Sequence, residues 1–214
     1  KMSWLYSSLL RGAEGQSFYK RALGIAEKTL GSEHPLIANI LVNMADIYGT
    51  PEERREAEAL LKRALEIKEK ALGKENLAVA ENLDILASLY KGEEKYAEVE
   101  PLYKRALEIR EKTLGKEHHL TATRIYNLAA LYYNQNRYAE AEPLLKRALE
   151  TREKTLGKDH YDTYSVLSRL AILYSSQNRN AEAETVYLRM IEIKERTEGK
   201  ESWGVQRTLY DLAG

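Results

Sequence analysis

The amino-acid sequence repeats itself every 42 residues. Four series of residues show this interval independently, and each series has five members. They are Gly31, Gly73, Gly115, Gly157 and Gly199; Arg21, Arg63, Arg105, Arg147 and Arg189; Tyr6, Tyr48, Tyr90, Tyr132 and Tyr174; and Ala45, Ala87, Ala129, Ala171 and Ala213. Such a chain is a row of alike supersecondary repeats, and neighbours must stack because one repeat cannot bury its apolar face alone.

Within a repeat, the apolar residues have the spacing of α-helices. They lie at i, i+3, i+4 and i+7, which places them on one helical face, and a polar turn separates two such stripes. In the third full repeat the stripes are Ile125, Leu128, Ala129 and Tyr132, then Ala141, Leu144, Leu145, Ala148 and Leu149. No segment shows the sustained alternation of a strand, so the fold class is all-α.

The periodicity also predicts where the helices begin and end. We predict first helices over 35–49, 77–91, 119–133 and 161–175, second helices over 53–72, 95–114, 137–156 and 179–198, and incomplete first helices over 2–11 and 203–213. The glycine after each second helix adopts the left-handed conformation that ends a helix. Pro101 and Pro143 fall several residues into second helices, so those helices either begin later than drawn or bend there.

Stacked hairpins bury both stripes and form an α-solenoid, in which antiparallel helix pairs wind into a superhelix with one concave face. We predict a single domain over 1–214. Its parts are an incomplete repeat over 1–31, full repeats over 32–73, 74–115, 116–157 and 158–199, and an incomplete terminal helix over 200–214.

Composition excludes several functional classes. The 214 residues include 33 Lys and Arg against 33 Asp and Glu, so the chain lacks the basic field that nucleic acids and anionic membranes attract. It contains no cysteine, which removes thiolate metal sites and cysteine nucleophiles. No apolar run approaches the ~20 residues of a membrane span. We expect a cytoplasmic protein that has no cofactor or metal and binds neither nucleic acid nor membrane.

Histidines recur at the repeat interval without forming a catalytic pattern. His34, His118 and His160 precede first helices, Asn76 holds the same position in the remaining repeat, and His119 stands outside the series. Side chains one repeat apart are too distant to share a metal or a proton. We therefore assign these residues to helix N-caps. No phosphate-binding glycine loop or nucleophile motif is present, and we expect no enzymatic activity.

The repeat resembles the tetratricopeptide repeat. The large-small, aromatic, small, large, small signature of that family is matched by Leu128, Ala129, Tyr132, Ala141, Leu145 and Ala148. The usual repeat has 34 residues, so 42 residues indicates longer helices. Residues 127–160 are similar to the repeats of kinesin light chains and of related bacterial and archaeal proteins. Their paired Asn-Asn before Leu-Ala is absent here.

The resemblance implies a peptide-binding groove lined by the first helices. Scaffold positions stay nearly constant between repeats while the groove positions vary, as on a recognition surface; neutral drift of exposed residues is the alternative. The predicted peptide-binding residues are Asn39, Asn43, Asp46, Glu81, Asp84, Tyr126, Asn127, Tyr133, Asn134, Arg169 and Arg207. The same reasoning places Val42, Ile85, Ser88, Lys91, Thr123, Ala130, Ser165, Ser168, Ile172, Ser175, Tyr210 and Asp211 in the groove.

The predicted function is protein–protein interaction, in which the groove binds an extended peptide or partner segment. Asparagines would bind the peptide backbone, tyrosines an apolar side chain, the acidic residues a basic ligand group, and Arg169 and Arg207 an acidic one. One alternative is a sensor or recruitment arm of a larger regulator or protease, because such repeats often accompany ATPase or peptidase domains. A third reading is an enzyme.

The two incomplete repeats carry apolar stripes at the ends of the array. These stripes are Met2, Leu5, Tyr6 and Leu9 at one end and Leu209 and Leu212 at the other. Exposed ends of a solenoid can stack on one another, which predicts end-to-end self-association. The alternative is that the short segments fold onto their neighbours as caps.

Overall fold

The computed structural model describes residues 2–48, 50 and 53–213, with side chains from residue 14 to residue 212 of that set. This part of the chain has ten α-helices and no strand, which confirms the all-α prediction. The helices are α1 (Met2–Leu30), α2 (Pro35–Asp46), α3 (Arg54–Leu72), α4 (Leu77–Gly92), α5 (Tyr96–Thr113), α6 (His119–Asn134), α7 (Tyr138–Leu156), α8 (Tyr161–Ser176), α9 (Asn180–Glu198) and α10 (Trp203–Ala213).

The amino-terminal helix differs from the prediction. Residues 2–11 do not form a separate helix, because α1 continues without a break to Leu30. In the later repeats the turn contains a residue in the left-handed conformation, namely Glu94, Asn136 or Asn178, with φ of 59°, 58° and 58°. Leu10 occupies that position in the first repeat. Leucine is strongly disfavoured in this conformation, and the helix therefore runs through.

The remaining helix limits agree with the prediction to within about one residue, except that α2 ends at Asp46. Pro101 and Pro143 lie inside α5 and α7. These helices begin at Tyr96 and Tyr138, only one residue later than drawn, so a late start does not explain the prolines.

The first helices are capped as predicted. The Nδ1 atoms of His34, His118 and His160 accept hydrogen bonds from backbone N–H groups two residues later, at 3.2, 3.2 and 3.1 Å. The Oδ1 of Asn76 accepts the equivalent bond at 2.9 Å. Each side chain satisfies one of the amide groups that the first turn of a helix leaves unpaired.

A glycine ends the second helices, although not in the conformation predicted. Gly73 and Gly157 have φ of 87° and 96°, which is the expected sign. Their ψ values are 152° and 161° instead of the value near 47° of the left-handed helix. This extended region with positive φ is open almost only to glycine, and it directs the chain away from the helix axis.

The chain divides into an amino-terminal body, residues 1–109, and a carboxyl-terminal body, residues 110–214, with the division inside α5. In the amino-terminal body α1, α2, α3 and α4 pack on one another in chain order, and in the carboxyl-terminal body α6 to α10 do the same. A helix therefore packs chiefly on its neighbours in the sequence, which is the packing of an α-solenoid.

Each hydrophobic cluster joins three helices. In one cluster, Leu41 of α2 is buried with Ala64 and Ile67 of its own second helix, α3, and with Ala26 of the preceding second helix, α1. A second cluster lies 42 residues later, where Leu83 of α4 is buried with Ala106 and Ile109 of α5, and Leu65 of α3 packs against them. The core is thus a periodic series, in which α2 lies between α1 and α3, and α8 lies between α7 and α9.

An ion pair recurs between successive second helices. An arginine near the middle of each second helix bonds a glutamate near the end of the preceding one. The pairs are Arg63–Glu27 at 2.5 Å, Arg105–Glu69 at 2.6 Å, Arg147–Glu111 at 2.6 Å, and Arg189–Glu153. A second series, Lys70–Glu33, Lys154–Glu117 and Arg196–Asp159, joins a second helix to the loop before its own first helix.

These contacts take the place of ion pairs that the sequence spacing favours within single helices. The sequence places Glu66 and Glu192 four residues before Lys70 and Arg196, as stabilising pairs within a helix. Neither of these two pairs lies within ion-pair distance, and both cations instead bond the acids of the second series. Glu150–Lys154 does form within its helix, at 2.9 Å.

Candidate functional site

An open pocket of about 250 Å³ lies on the first helices of the carboxyl-terminal body. It is lined by Tyr126, Tyr161, Tyr164, Ser165, Ser168, Arg169 and Ile172. The pocket forms because α6 and α8, the first helices of two consecutive repeats, lie side by side. Five of these seven residues were predicted as groove positions from the sequence, and the exceptions are Tyr161 and Tyr164. The structure therefore brings the five predicted residues together around one pocket.

A buried arginine lies beside this pocket. Arg152 of α7 is only 3% exposed, and its Nη1 donates to the backbone oxygen of Asp162 at 2.7 Å and to Ser165 Oγ at 3.1 Å. Its Nη2 lies 3.5 Å from Thr123 Oγ1, and the guanidinium carbon lies 5.0 Å from the centre of the Tyr126 ring. These contacts fix the guanidinium between α6 and α8.

The charge of Arg152 is not balanced by an ion pair. In the described part of the chain no carboxylate oxygen lies within 4.0 Å of its guanidinium, and its Nε is buried without a hydrogen-bond partner. Burial lowers the pKa of Arg152, while the carboxylate of Asp162 acts in the opposite direction. Arginine nevertheless stays protonated in proteins, so a positive charge is held beside the pocket.

A second arginine lies in the pocket wall. The guanidinium of Arg169 is 5.3 Å from the centre of the Tyr133 ring, a cation–π arrangement. The Tyr133 hydroxyl lies 3.1 Å from Ser176 Oγ, and its ring packs against Tyr138 at 5.5 Å. Tyr133 is therefore fixed from both sides and keeps Arg169 next to the aromatic surface.

Other predicted residues of this body are less constrained. Asn127 is half-buried, and Asn134, the last residue of α6, is exposed. Arg207 is exposed on α10, where its Nε donates to Asp211 Oδ1 at 3.2 Å. This exposed pair reduces the positive charge that Arg207 presents.

In the amino-terminal body, Asn39, Asn43 and Asp46 lie exposed on α2 and Glu81 lies exposed on α4. Asp84 differs from these, because it is only 6% exposed. A buried carboxylate offers little to a ligand on the open surface, so Asp84 is a poorer candidate than its position in the repeat indicated.

A row of cations on the second helices was not predicted from the sequence. Lys68, Arg110, Arg152 and Lys194 recur at the repeat interval, and the first three are buried. Burial lowers the pKa of Lys68, against the opposing effect of Glu81, and the ammonium of Lys194 lies 4.7 Å from the Tyr164 ring centre. In the sequence, a cation directly follows the apolar residues Ile67 and Ile109, and this repeated position could have indicated the buried cations. It was not distinctive, because charged residues are common on the second helices.

A larger, more polar pocket of about 540 Å³ lies by the last helix pair. It is lined by Ser175, Asn178, Asn180, Ala183, Glu184, Tyr187, Asp211 and Leu212. Among the stripe residues predicted at the ends of the array, Leu209 is 47% exposed and Leu212 is half-buried. The side chains of Met2, Leu5, Tyr6 and Leu9 lie outside the described residues.

Helical hairpins packed in chain order, with alanines of both helices buried together as Ala38 and Ala64 are, define a protein of the tetratricopeptide class. The family model described as tetratricopeptide repeat matches residues 5–70, 76–154 and 122–196. The chain therefore belongs to the tetratricopeptide repeat family, and the resemblance inferred from the sequence is confirmed. Repeats of this family generally mediate protein–protein interaction and are typically scaffolds without enzymatic activity.

Solved structures place the repeats with those of kinesin light chains. The kinesin light chain TPR-like repeats of Podospora anserina are 25% identical, with a TM-score of 0.75 over 92% of this chain and 93% of that one. BtubC (BKLC) from P. vanneervenii is 22% identical, with a TM-score of 0.74 over 96% and 81%. The apo form of RapI is 18% identical, with a TM-score of 0.71 over 92% and 56%. No curated protein sequence matches this chain significantly.

Every helix among the described residues is too short or too polar to cross a lipid bilayer.

Proposed function

We propose that the chain binds an extended segment of a partner protein along the first helices of its repeats. The observation that carries this proposal is the open pocket in which Arg169 lies with three tyrosines, while the buried charge of Arg152 lies behind Tyr126. A ligand carboxylate in the pocket can contact Arg169, and the charge of Arg152 adds to the attraction from behind the pocket wall.

The pocket chemistry suggests the kind of segment that the carboxyl-terminal body binds. Arg169 in the pocket wall favours a carboxylate, while Tyr126 and Tyr161 offer ring faces on which an apolar side chain can pack. Ser165 and Ser168 can bond the peptide backbone. A short acidic segment with an adjacent apolar residue satisfies all three groups.

The amino-terminal body favours the opposite charge. Asp46 and Glu81 are exposed carboxylates on first helices, and Asn39 and Asn43 carry amide groups that can both donate to and accept from a peptide backbone. We propose that this body binds a polar or basic segment. Charge complementarity of this kind contributes more to specificity than to affinity.

The proposal can be tested with a library of random peptides displayed on phage and selected on the purified chain. We expect enriched peptides that carry an aspartate or glutamate near an apolar residue. Arg169→Glu should weaken their binding by at least about tenfold, because an attraction becomes a repulsion. Lys158→Glu is the matched control, since Lys158 is exposed in a loop and does not line the pocket.

A second variant tests the aromatic and amide groups. The double substitution Tyr126→Ala and Asn127→Ala should abolish selection of the same peptides while the far-ultraviolet circular dichroism stays that of the parent. Equal affinity in the double variant, or failure of the library to enrich any peptide, would remove the proposal.

A further inference from the structure

The amino-terminal body has a pocket on its second helices, whereas the partner surface proposed above lies on first helices. The pocket has a volume of about 380 Å³ and is lined by Arg55, Glu58, Ala59, Lys62 and Lys95. The first four of these residues follow the spacing i, i+3, i+4 and i+7 and share one face of α3. Lys95 stands in the turn just before α5. The pocket is therefore a gap between two consecutive second helices.

Three of the five lining residues depart from the 42-residue repeat. Arg55 stands where the next three repeats have alanine. Ala59 stands where they have proline, proline and threonine, and Lys95 stands where the next two repeats have arginine. Glu58 and Lys62 are instead the same residues as in the next two repeats. The departures from the repeat are thus concentrated around one gap.

Two of the departures add charge and space. Arg55 is exposed and makes no ion pair with the described residues, so its guanidinium is available to a ligand. The side chain of Ala59 is a single methyl group, whereas a proline places a ring on the surface of the helix. Arg55 and Lys62 lie about one turn before and one turn after Ala59 on the same face of α3. Their long side chains therefore flank the space above Ala59.

The third departure leaves the gap open on its other side. Two repeats later, the Nη1 of Arg179 lies 2.6 Å from the Oε2 of Glu142. At the equivalent place the Nζ of Lys95 lies 3.7 Å from the Oε2 of Glu58, and its closer contact is with Glu93 at 2.6 Å. Lysine thus joins the two second helices less tightly here than arginine does in the later repeat.

A single carboxylate in the pocket lining holds the cations in place. The Oε1 of Glu58 accepts hydrogen bonds from the Nζ of Lys62 at 2.6 Å and from the hydroxyl of Tyr90 at 2.9 Å. Three cations line the pocket with this one carboxylate. Glu93 contacts Lys95 from outside the lining, and the balance stays positive when its charge is included. The pocket therefore attracts an anion.

We propose that this pocket binds a phosphate monoester. Such a group carries a charge of about −1.5 to −2 at neutral pH and has three terminal oxygens that accept hydrogen bonds strongly. Placed above Ala59, it can accept from Arg55, Lys62 and Lys95 together. A carboxylate has one charge and two oxygens, so it suits this set of three donors less well. The phosphate belongs either to a phosphorylated serine of a partner protein or to a small phosphorylated molecule.

The exposure of the pocket sets the expected strength of binding. The side chains of Lys62 and Lys95 are 54% and 44% exposed, so water and dissolved ions screen their attraction for an anion. Inorganic phosphate should consequently bind weakly, and added sodium chloride should weaken it further. A phosphate attached to a peptide should bind more tightly, because the peptide can also contact the surface around the pocket.

The proposal can be tested by nuclear magnetic resonance titration of the ¹⁵N-labelled chain in a phosphate-free buffer of low ionic strength. The probes are inorganic phosphate, a short alanine peptide with a central phosphoserine, and the same peptide with glutamate or serine at that place. Both phosphate probes should shift the amide resonances of residues 54–62 and 93–96. Tighter binding of the phosphopeptide indicates a partner protein, and equal or tighter binding of inorganic phosphate indicates a small molecule.

Two charge variants and a matched control test the assignment of the cations. Arg55→Ala introduces the residue that the next three repeats carry, so we expect it to fold normally and to lower the affinity for the phosphopeptide by at least about tenfold. Lys62→Ala should do the same. Lys146→Ala is the control and should bind like the parent, since Lys146 is the equivalent of Lys62 and pairs in the same way with Glu142, at 2.7 Å.

A variant of the space in the pocket complements the charge variants. Ala59→Pro keeps every cation but places a ring in the gap, and α5 and α7 already contain a proline at the equivalent positions. We expect a similar loss of affinity. Unchanged affinity in both Arg55→Ala and Lys62→Ala, or no binding of either phosphate probe to the parent, would overturn the proposal. Equal binding of the glutamate peptide and the phosphopeptide would show that the pocket does not select phosphate.

Discussion

At the scale of single residues, the turn inside each repeat depends on one backbone conformation. Asn136 and Asn178 adopt φ of 58°, which asparagine tolerates because its short side chain can bond locally. Glu94 has φ of 59° at the same position in the preceding repeat and is exposed. Glutamate has no such compensation, so this turn carries strain that the other two avoid.

We therefore predict that Glu94→Asn stabilises the protein. The gain should be about 1 kcal/mol in the free energy of unfolding, because asparagine is less disfavoured with positive φ. Urea denaturation measures it. The reverse change, Asn178→Glu, is the control and should cost a similar amount; a loss of stability in Glu94→Asn would show that strain at this turn is not the controlling factor.

At the scale of the helix, the N-caps test whether the repeats are chemically equivalent. His34 caps α2 through Nδ1, and Asn76 caps α4 through Oδ1 in the same geometry. We predict that His34→Ala lowers the free energy of unfolding by about 1 kcal/mol, the usual value of a lost cap. His34→Asn should leave stability unchanged, which thermal or urea unfolding of the two variants would reveal.

A carboxylate that links neighbouring second helices makes stability depend on pH. Glu142 accepts a hydrogen bond from Arg179 at 2.6 Å and pairs with Lys146 at 2.7 Å. The bond from Arg179 lowers the pKa of Glu142 to about 2, from the ordinary value of 4.5. The unfolded chain therefore takes up this proton at higher pH than the folded chain does.

The sign of the effect follows from that order. The contribution of Glu142 is fully present above about pH 4.5 and is lost as the pH falls toward 2. We predict that Glu142→Gln reduces the loss of stability in this window, as measured by urea unfolding at a series of pH values. Glu192→Gln, at an exposed glutamate without an ion pair in the described structure, is the control and should keep the parent profile.

Helices were also the level at which the sequence was most informative. The period of 42 residues and the apolar stripes inside each repeat located nine helices to within a few residues. The same helix limits could be read several times, because equivalent residues of each repeat make equivalent contacts. The continuous helix α1 was not predicted. Its cause is Leu10, which stands at the turn position that takes a positive φ in later repeats, and only the structure identified that backbone conformation.

The candidate site was only partly predictable. Positions on the first helices, such as Tyr126 and Arg169, followed from the family pattern. Arg152 could not be recognised, because its burial depends on Ser165 and Asp162, which belong to the next repeat and approach it only after stacking. The burial of Asp84 could not be predicted either, because neighbouring helices decide how far a side chain is exposed, and its position in the repeat does not.

At the scale of the whole molecule, packing between sequence neighbours predicts that damage stays local. Leu167 of α8 is 1% exposed, and Leu167→Ala should lower the free energy of unfolding of its own repeat by about 2–5 kcal/mol. Hydrogen exchange should rise in α7, α8 and α9 before it rises in α2 and α3, since repeat arrays are stabilised by nearest-neighbour contacts. Ile172→Ala, at an exposed position on the same helix, should change exchange little; a uniform rise across the chain would contradict this expectation.

The arginine–glutamate bond has a consequence for how such a chain can vary in length. Arg189 bonds Glu153, and one repeat earlier Arg147 bonds Glu111. If residues 116–157 were excised, Arg189 would stand where Arg147 had been and would find Glu111 in place of its lost acceptor. Because the same ion pair joins each repeat to the next, a duplication or deletion in the gene can add or remove whole repeats and still leave an arginine opposite a glutamate on either side.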